Sequence, residues 1–387
     1  MSSSSSPRAG VGYGFIGCGM MGQEHLRNLA LIEGAEVLAI FEPDAGMRAR
    51  SAALVPQVRF VDSVEALLAI EALDALVITS PNHCHAGQLA QIAASRPLPV
   101  LCEKPVCTNL ADVAALRELQ ASYLAPLWVA MEYRYMPPIA AFVQAAHAGQ
   151  ATGGSTLLTM REHRYPFLVK VGDWNRFSRN TGGTLVEKCC HFFDLMRLVM
   201  QADPVRVYAS GAMNHNHVDE RYGGEQPDIL DNALVVLDFP GSRRALLELC
   251  MFAEGSRYQE EIALVGPTGK LECKVPGPQR FWPAALGEPP VAQLIVSPRD
   301  PQADAGSPAG PRLIEVPVDP TLIAAGDHNG STYYQHRRFF DVVRGVAGQA
   351  VEVSALDGLK AVTIGLAAEA SAHSGLAIDL TQGDYRL

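Results

Sequence analysis

Short apolar runs alternate with helical patterns over the first third of the chain. Gly14–Gly17 closes a strand, Gln23–Leu31 reads as a helix, Glu36–Phe41 as a second strand and Met47–Leu54 as a second helix. Val58–Val61 is a third strand ahead of a helix over Val64–Ile70, and Ala75–Thr79 and Pro99–Cys102 are apolar strands flanking a helical stretch at Ala86–Ala94. Leu127–Met131 is the last strand of this series, and Pro137-Pro138 then breaks the pattern near a domain boundary. Strands alternating with helices predict βαβ units and a parallel sheet covered on both faces.

Beyond that point strands follow strands: Ser155–Met160, Val205–Ala209, Ala233–Phe239, Arg244–Met251, Glu261–Val265 and Leu271–Val275. Pro240-Gly241 and the Gly266–Gly269 turn join antiparallel neighbours. One long helix, Thr184–Met200, is embedded among them, and Pro276–Pro311 reads as a surface excursion. Ser331 precedes a helix over Tyr333–Val346, and Ser354 with Asp357 makes a capping box for a helix ending near Gly375. The fold class expected is α/β: a Rossmann domain over 1–134, then an α+β domain over 135–387 with a large, mostly antiparallel sheet.

Composition narrows the function classes. With 31 Lys+Arg against 41 Asp+Glu, the formal charge is 31 − 41 = −10, a poor match to nucleic acid. Apolar residues at 48% and charged ones at 19% describe an ordinary folded chain rather than a disordered one. There is no apolar stretch long enough for a membrane span. Met1–Gly10 reads as a frayed polar leader. Eight cysteines, mostly inside apolar runs, suit reduced thiols in the cytoplasm. No cysteine or histidine spacing makes a convincing metal motif, so no metal is expected.

The chemistry begins at Gly17-Cys18-Gly19-Met20-Met21-Gly22, a G-x-G-x-x-G that follows a strand and opens a helix. The first glycine permits the tight turn, the second lets backbone approach a pyrophosphate, and the third lets the helix pack on the strand. Glu42 ends the second strand, where a carboxylate binds ribose hydroxyls and repels a 2′-phosphate. NAD is therefore expected, with NADP possible if Arg48 or Arg50 shields the charge. Two further strand ends carry Ser80-Pro81-Asn82 with His85, and Glu103-Lys104-Pro105. Ligands of open parallel sheets sit at such ends, so Lys104 is a site residue.

Glu187, His191 and Asp194 fall at i, i+4 and i+7 of the embedded helix, a narrow polar seam on an otherwise apolar surface. Buried charges require partners, so the seam either closes an internal network or faces a cavity. Gly182-Gly183 ahead of it allows close approach of a ligand or of the first domain.

Together these motifs resemble the Gfo/Idh/MocA oxidoreductases, the glucose–fructose oxidoreductase and inositol dehydrogenase family, over roughly Gly12 to Leu380. The resemblance implies a nicotinamide cofactor, polyhydroxylated substrates such as sugars or inositols, and a homodimer or homotetramer built through the C-terminal sheet. It implies that Lys104 and His191 are the active-site lysine and histidine, and that Glu187 stands where many members have Asp. It further brings Trp174 and Arg176 toward the nicotinamide and substrate, and makes Arg134 and His328 candidate substrate contacts.

The mechanism expected is alcohol oxidation with His191 as general base, Lys104 stabilising the alkoxide and Glu187 holding His191 or a neighbouring hydroxyl. Two alternatives remain at this level. One is the same fold using transient 3-keto oxidation for elimination or epimerisation. The other is a non-enzymatic dinucleotide-binding sensor.

Overall fold

Six strands, β1 (Val11–Ile16), β2 (Ala35–Phe41), β3 (Arg59–Val61), β4 (Ala75–Ile78), β5 (Val100–Glu103) and β6 (Leu127–Ala130), form a wholly parallel sheet in the order β3-β2-β1-β4-β5-β6. β1, β4, β5 and β6 are buried throughout, as strands covered on both faces must be. The strand order reverses between β1 and β4, which opens a crevice at their carboxyl ends. The structure, a computed structural model, describes residues 10–299 and 310–387; most of the polar leader and part of the Pro- and Gly-rich stretch lie outside the described residues.

Five helices cover this sheet: α1 (Met20–Leu29), α2 (Ala45–Leu54), α3 (Val64–Leu68), α4 (His85–Ser95) and α5 (Leu110–Ser122). No helix is expected from the apolar periodicity around α5, yet its start was marked: Asn109 accepts from the Asp112 amide as an N-cap. The chain does not break at Pro137-Pro138 either. The two prolines occupy the first positions of α6 (Pro137–Ala148), where the missing amide costs nothing.

The second domain is a nine-stranded sheet of β7 (Leu157–His163), β8 (Arg206–Ala212), β9 (Asn232–Phe239), β10 (Arg243–Cys250), β11 (Glu260–Gly266), β12 (Gly269–Val275), β13 (Gln293–Pro298), β14 (Arg312–Glu315) and β15 (Ile378–Asp379). All neighbours are antiparallel except β7 and β10. The surface excursion expected over Pro276–Pro311 therefore contains a strand, β13, whose Leu294-Ile295-Val296 run is hidden among prolines. Inward and outward residues alternate along β9 and β10, so one face is core and the other is open.

The long helix expected over Thr184–Met200 is interrupted. After α7 (Ser178–Thr181) come α8 (Thr184–Glu187) and α9 (Cys190–Met200), separated at Lys188-Cys189. The Cys189 amide reaches back five residues to the Thr184 carbonyl at 3.4 Å, a π-type widening that changes the angle between Glu187 and His191.

Three more helices, α10 (Pro320–Ala325), α11 (Ser331–Val343) and α12 (Ala355–Ser374), bring the end of the chain back to the first domain. α11 packs on α1, α12 packs on α5, and the Val129 amide donates to Val353 at 3.0 Å. The capping box of α12 is formed by Ser354 and Asp357 as its sequence predicts.

A buried polar network clamps this junction. His25 Nε2 donates to Glu103 Oε1 at 2.8 Å, and His25 Nδ1 lies 2.6 Å from His336 Nε2. Beside it, His328 Nδ1 is 2.7 Å from Glu24 Oε1 and its Nε2 is 3.6 Å from Glu132 Oε1. Burial opposes the charge on His328, but Glu132 and Glu24 outweigh it and raise its pKa to about 9. A raised folded pKa contributes stability that is full below 6.5 and is lost as pH climbs through about 9. His328→Asn should therefore flatten the fall in Tm between these pH values, measured by thermal denaturation; parallel curves for wild type and variant would contradict the clamp.

Candidate active site

A cleft of about 470 Å³ lies at the carboxyl ends of β1, β2, β4 and β5, roofed by residues 169–171 and Trp174 of the second domain. Gly17, Gly19, Met20 and Met21 line its floor. Gly17 has φ +79°, and a Cβ there would stand 2.6 Å from the Ser80 backbone. Gly22 is one turn behind the cleft, where a Cβ would meet Thr79 Oγ1 at 2.7 Å; its role is helix-to-strand packing. Open space surrounds Gly19, as close approach of a pyrophosphate to the N-terminus of α1 requires.

Glu42 lies at the far wall of the cleft, just after β2. Its carboxylate accepts from the Cys18 amide and, at 2.8 Å, from the Asp44 amide, so it braces the glycine loop. Arg50 lines the cleft nearby, whereas Arg48 turns outward to Asp62. These features fit the adenosine and pyrophosphate of a dinucleotide.

At the other end, Ser80, Pro81, Asn82, Glu103 and Lys104 line the cleft. His85 is fully buried and does not line it. Its ring nitrogens meet the Pro105 and Ser80 carbonyls at 2.8 and 2.9 Å, tying the two strand-end loops together. Lys104 Nζ donates to the Glu187 carbonyl at 3.1 Å. Burial works against its charge, but Cys190, Glu103 and Glu187 raise its pKa, so it stays a cation. Glu187 also lines the cleft, with Oε2 buried and unpartnered. Burial raises its pKa, and Lys104 and Lys170 oppose that rise.

His191 stands behind this pair rather than in the cleft wall. Its ring stacks on Tyr133 at 4.2 Å with the planes 7° apart, and its Nδ1 is buried without a partner. Burial, then the charges of Lys104, Lys188, His328 and Arg164, push its pKa well below 6.5. Neutral imidazole is the form a general base needs.

The remaining expected contacts have protein partners. Arg134 makes a two-pronged pair with Asp194 and reaches the Glu352 carbonyl at 3.3 Å. The polar seam is thus divided: Glu187 faces the cleft, His191 lies beneath it, and Asp194 belongs to Arg134. Arg176 is 2% exposed, with Nε 3.1 Å from Glu220 and a further bond to Phe167, behind Trp174 in the cleft wall. His328 bridges Glu24 and Glu132. Ligand atoms of these three lie within 4.8 Å of one another, but the imidazole already stands between the two carboxylates and Thr332 Oγ1 lies within bonding distance of both.

Sequence reasoning missed Tyr133, Lys188, Glu162 and Glu260. Lys188 Nζ lies 2.8 Å from Glu162 Oε1 and donates to the Tyr133 hydroxyl under the His191 ring. The available signal was a lysine beside the polar seam, in a segment whose remaining positions are mostly apolar.

A Rossmann crevice with a lysine and a glutamate at one end, and a histidine behind them, is set between a parallel sheet and a larger mixed one. The chain belongs to the Gfo/Idh/MocA oxidoreductase family: the family's NAD-binding Rossmann fold matches residues 11–131, and its C-terminal alpha/beta domain matches residues 156–380. It is similar to inositol 2-dehydrogenase of Leifsonia xyli, 33% identical over 191 residues, which are 49% of this chain and 52% of that one. The match thus spans about half the length of that relative. Similarity to myo-inositol 2-dehydrogenase of Thermotoga maritima is 26% over 260 residues, 67% of this chain and 73% of that one. Among solved structures, the fold is similar to levoglucosan dehydrogenase in complex with NADH and levoglucosan, with TM-score 0.76, 19% identity and coverage of 96% and 100%. It is also similar to a myo-inositol dehydrogenase from Corynebacterium glutamicum, with TM-score 0.72, 20% identity and coverage of 97% and 100%.

Asp194 is wholly buried, so removing Arg134 leaves an uncompensated charge. Arg134→Met should lower stability by about 3–5 kcal/mol in denaturant titration. A raised KM with unchanged stability would instead return Arg134 to the substrate.

Proposed function

We propose that the chain is an NAD-dependent dehydrogenase that moves a hydride between nicotinamide and a secondary alcohol or ketone of a sugar, inositol or related polyol. The observation that carries this reading is cationic Lys104 beside Glu187 at one end of a dinucleotide cleft, with neutral His191 behind the pair. Gly17, Gly19, Met20 and Met21 would hold the pyrophosphate, and Glu42 the adenosine ribose. Glu42 also disfavours a 2′-phosphate, so NAD is preferred over NADP. When bound, the nicotinamide supplies the hydride acceptor.

Lys104 orients the substrate hydroxyl and stabilises the negative charge that develops on its oxygen. His191 takes the hydroxyl proton, and Tyr133, stacked beneath, keeps the imidazole in plane. Glu187 holds a neighbouring hydroxyl and balances the lysine. In reduction the same groups return the proton. The inositol dehydrogenase names of the relatives support a cyclic polyol as the substrate class.

Leu157, Tyr208, Leu234 and Val236 are exposed on the open face of the second sheet, and a second copy of the chain is the partner we infer there. Eight free thiols among the described residues suit a reducing cytoplasm, and no described helix is long and apolar enough to cross a membrane.

Lys104→Met and His191→Ala should each lose at least about a hundredfold in kcat while still binding NAD. The assay is NADH formation across a panel of inositols and sugars; near-normal turnover in either variant would overturn the assignment. Because His191 must be neutral to act, kcat/KM should hold down through pH 6.5 and fall only below it. A pH–rate profile declining already above that value would place the proton elsewhere.

A further inference from the structure

Four cations besides Lys170 crowd the hydride-transfer end, and each has an acceptor. Lys104 donates to the Glu187 carbonyl, and Lys188 pairs with Glu162. Arg164 reaches Glu162 and the Tyr165 carbonyl, and Arg176 holds Glu220. Lys170 lines the same cleft as Lys104 and Glu187, yet its ammonium makes no hydrogen bond or ion pair with any described residue. An ammonium has three donors and no acceptor, so a part-buried one facing a cavity is built to meet something.

Its surroundings point the same way. Val169 and Val171 flank it and also line the cleft, and they are 74% and 46% exposed. Two valines held in solvent beside a lone cation form a roof suited to an amphipathic guest. The charges that act most strongly on Lys170 are Glu187, Lys104, Glu103 and Arg164, all at the hydride-transfer end. Burial, opposed by Glu187 and aided by Lys104, lowers the Lys170 pKa; an arriving anion would relieve that cost.

We propose that Lys170 receives a carboxylate of the substrate, so that the chain takes a polyhydroxylated carboxylic acid in preference to its neutral counterpart. A single unpaired ammonium matches a monoanion. A phosphate dianion would call for a second unpaired cation in the cleft wall, and neither Arg164 nor Arg176, each paired with a glutamate, lines it. The inference rests on the dehydrogenase reading for the identity of the cleft, but it makes its own claim about binding.

The test is calorimetric titration of the NADH-loaded full chain with gluconate and glucuronate, against glucitol and myo-inositol. An acid should bind at least about tenfold more tightly than its neutral counterpart. Lys170→Met should abolish that ratio, and Lys170→Arg should keep it, with NADH affinity unchanged in both. The proposal falls if neither acid binds, if the neutral polyols bind as tightly, or if Lys170→Met leaves the ratio intact. It also falls if Lys170→Met loses NADH instead, which would give the lysine to the cofactor. The two readings fail separately. Acid binding through Lys170 without any change in NADH absorbance on turnover ends the dehydrogenase reading alone. Turnover of neutral polyols, with the acids bound no more tightly than they are, ends this proposal alone.

Discussion

The burial of the Glu103 carboxylate is the constraint on which the site depends. It ends β5 at 4% exposure, where an unpaired charge would be costly. One oxygen accepts from His25 of α1 and the other from the Lys104 amide. Burial pushes its pKa up, but His25 and Lys104 pull it lower still, so the carboxylate stays ionised. His25 in turn contacts His336 of α11, so one acid joins the glycine-loop helix, the lysine loop and the returning end of the chain.

The same rule, that a buried charge must be met, shapes the layer behind the cleft. Glu162 and Glu260 face Lys188 and Arg164 under Tyr133, and each keeps one oxygen without a partner. Burial and the nearness of Glu162 raise Glu260 to about 7. This pile of charge does not touch the cleft directly; it acts through the Tyr133–His191 stack. Burial first, then these cations with Lys104, keep the imidazole unprotonated, which makes His191 a base at ordinary pH.

What could be read from the sequence was what repeats locally. Strand–helix alternation revealed the parallel sheet, alternation along β9 and β10 the second one, and the spacing of Gly17, Gly19, Gly22 and Glu42 the dinucleotide end. Long-range charge pairing was not legible. Arg134 and Arg176 looked like free cations near a cleft, but their carboxylates stand 60 and 44 residues further along the chain. The break at Lys188-Cys189 was equally hidden, because it answers to Glu162 on a strand of the other layer.

The most direct test of the account is a crystal structure of the chain with NADH bound. The nicotinamide should lie at the Glu103–Lys104 end, beneath Trp174, with its reactive face open to Lys104 and Glu187 and the pyrophosphate against Gly17–Gly22. A nicotinamide turned out of the cleft, or separated from Lys104 by ordered protein, would contradict it.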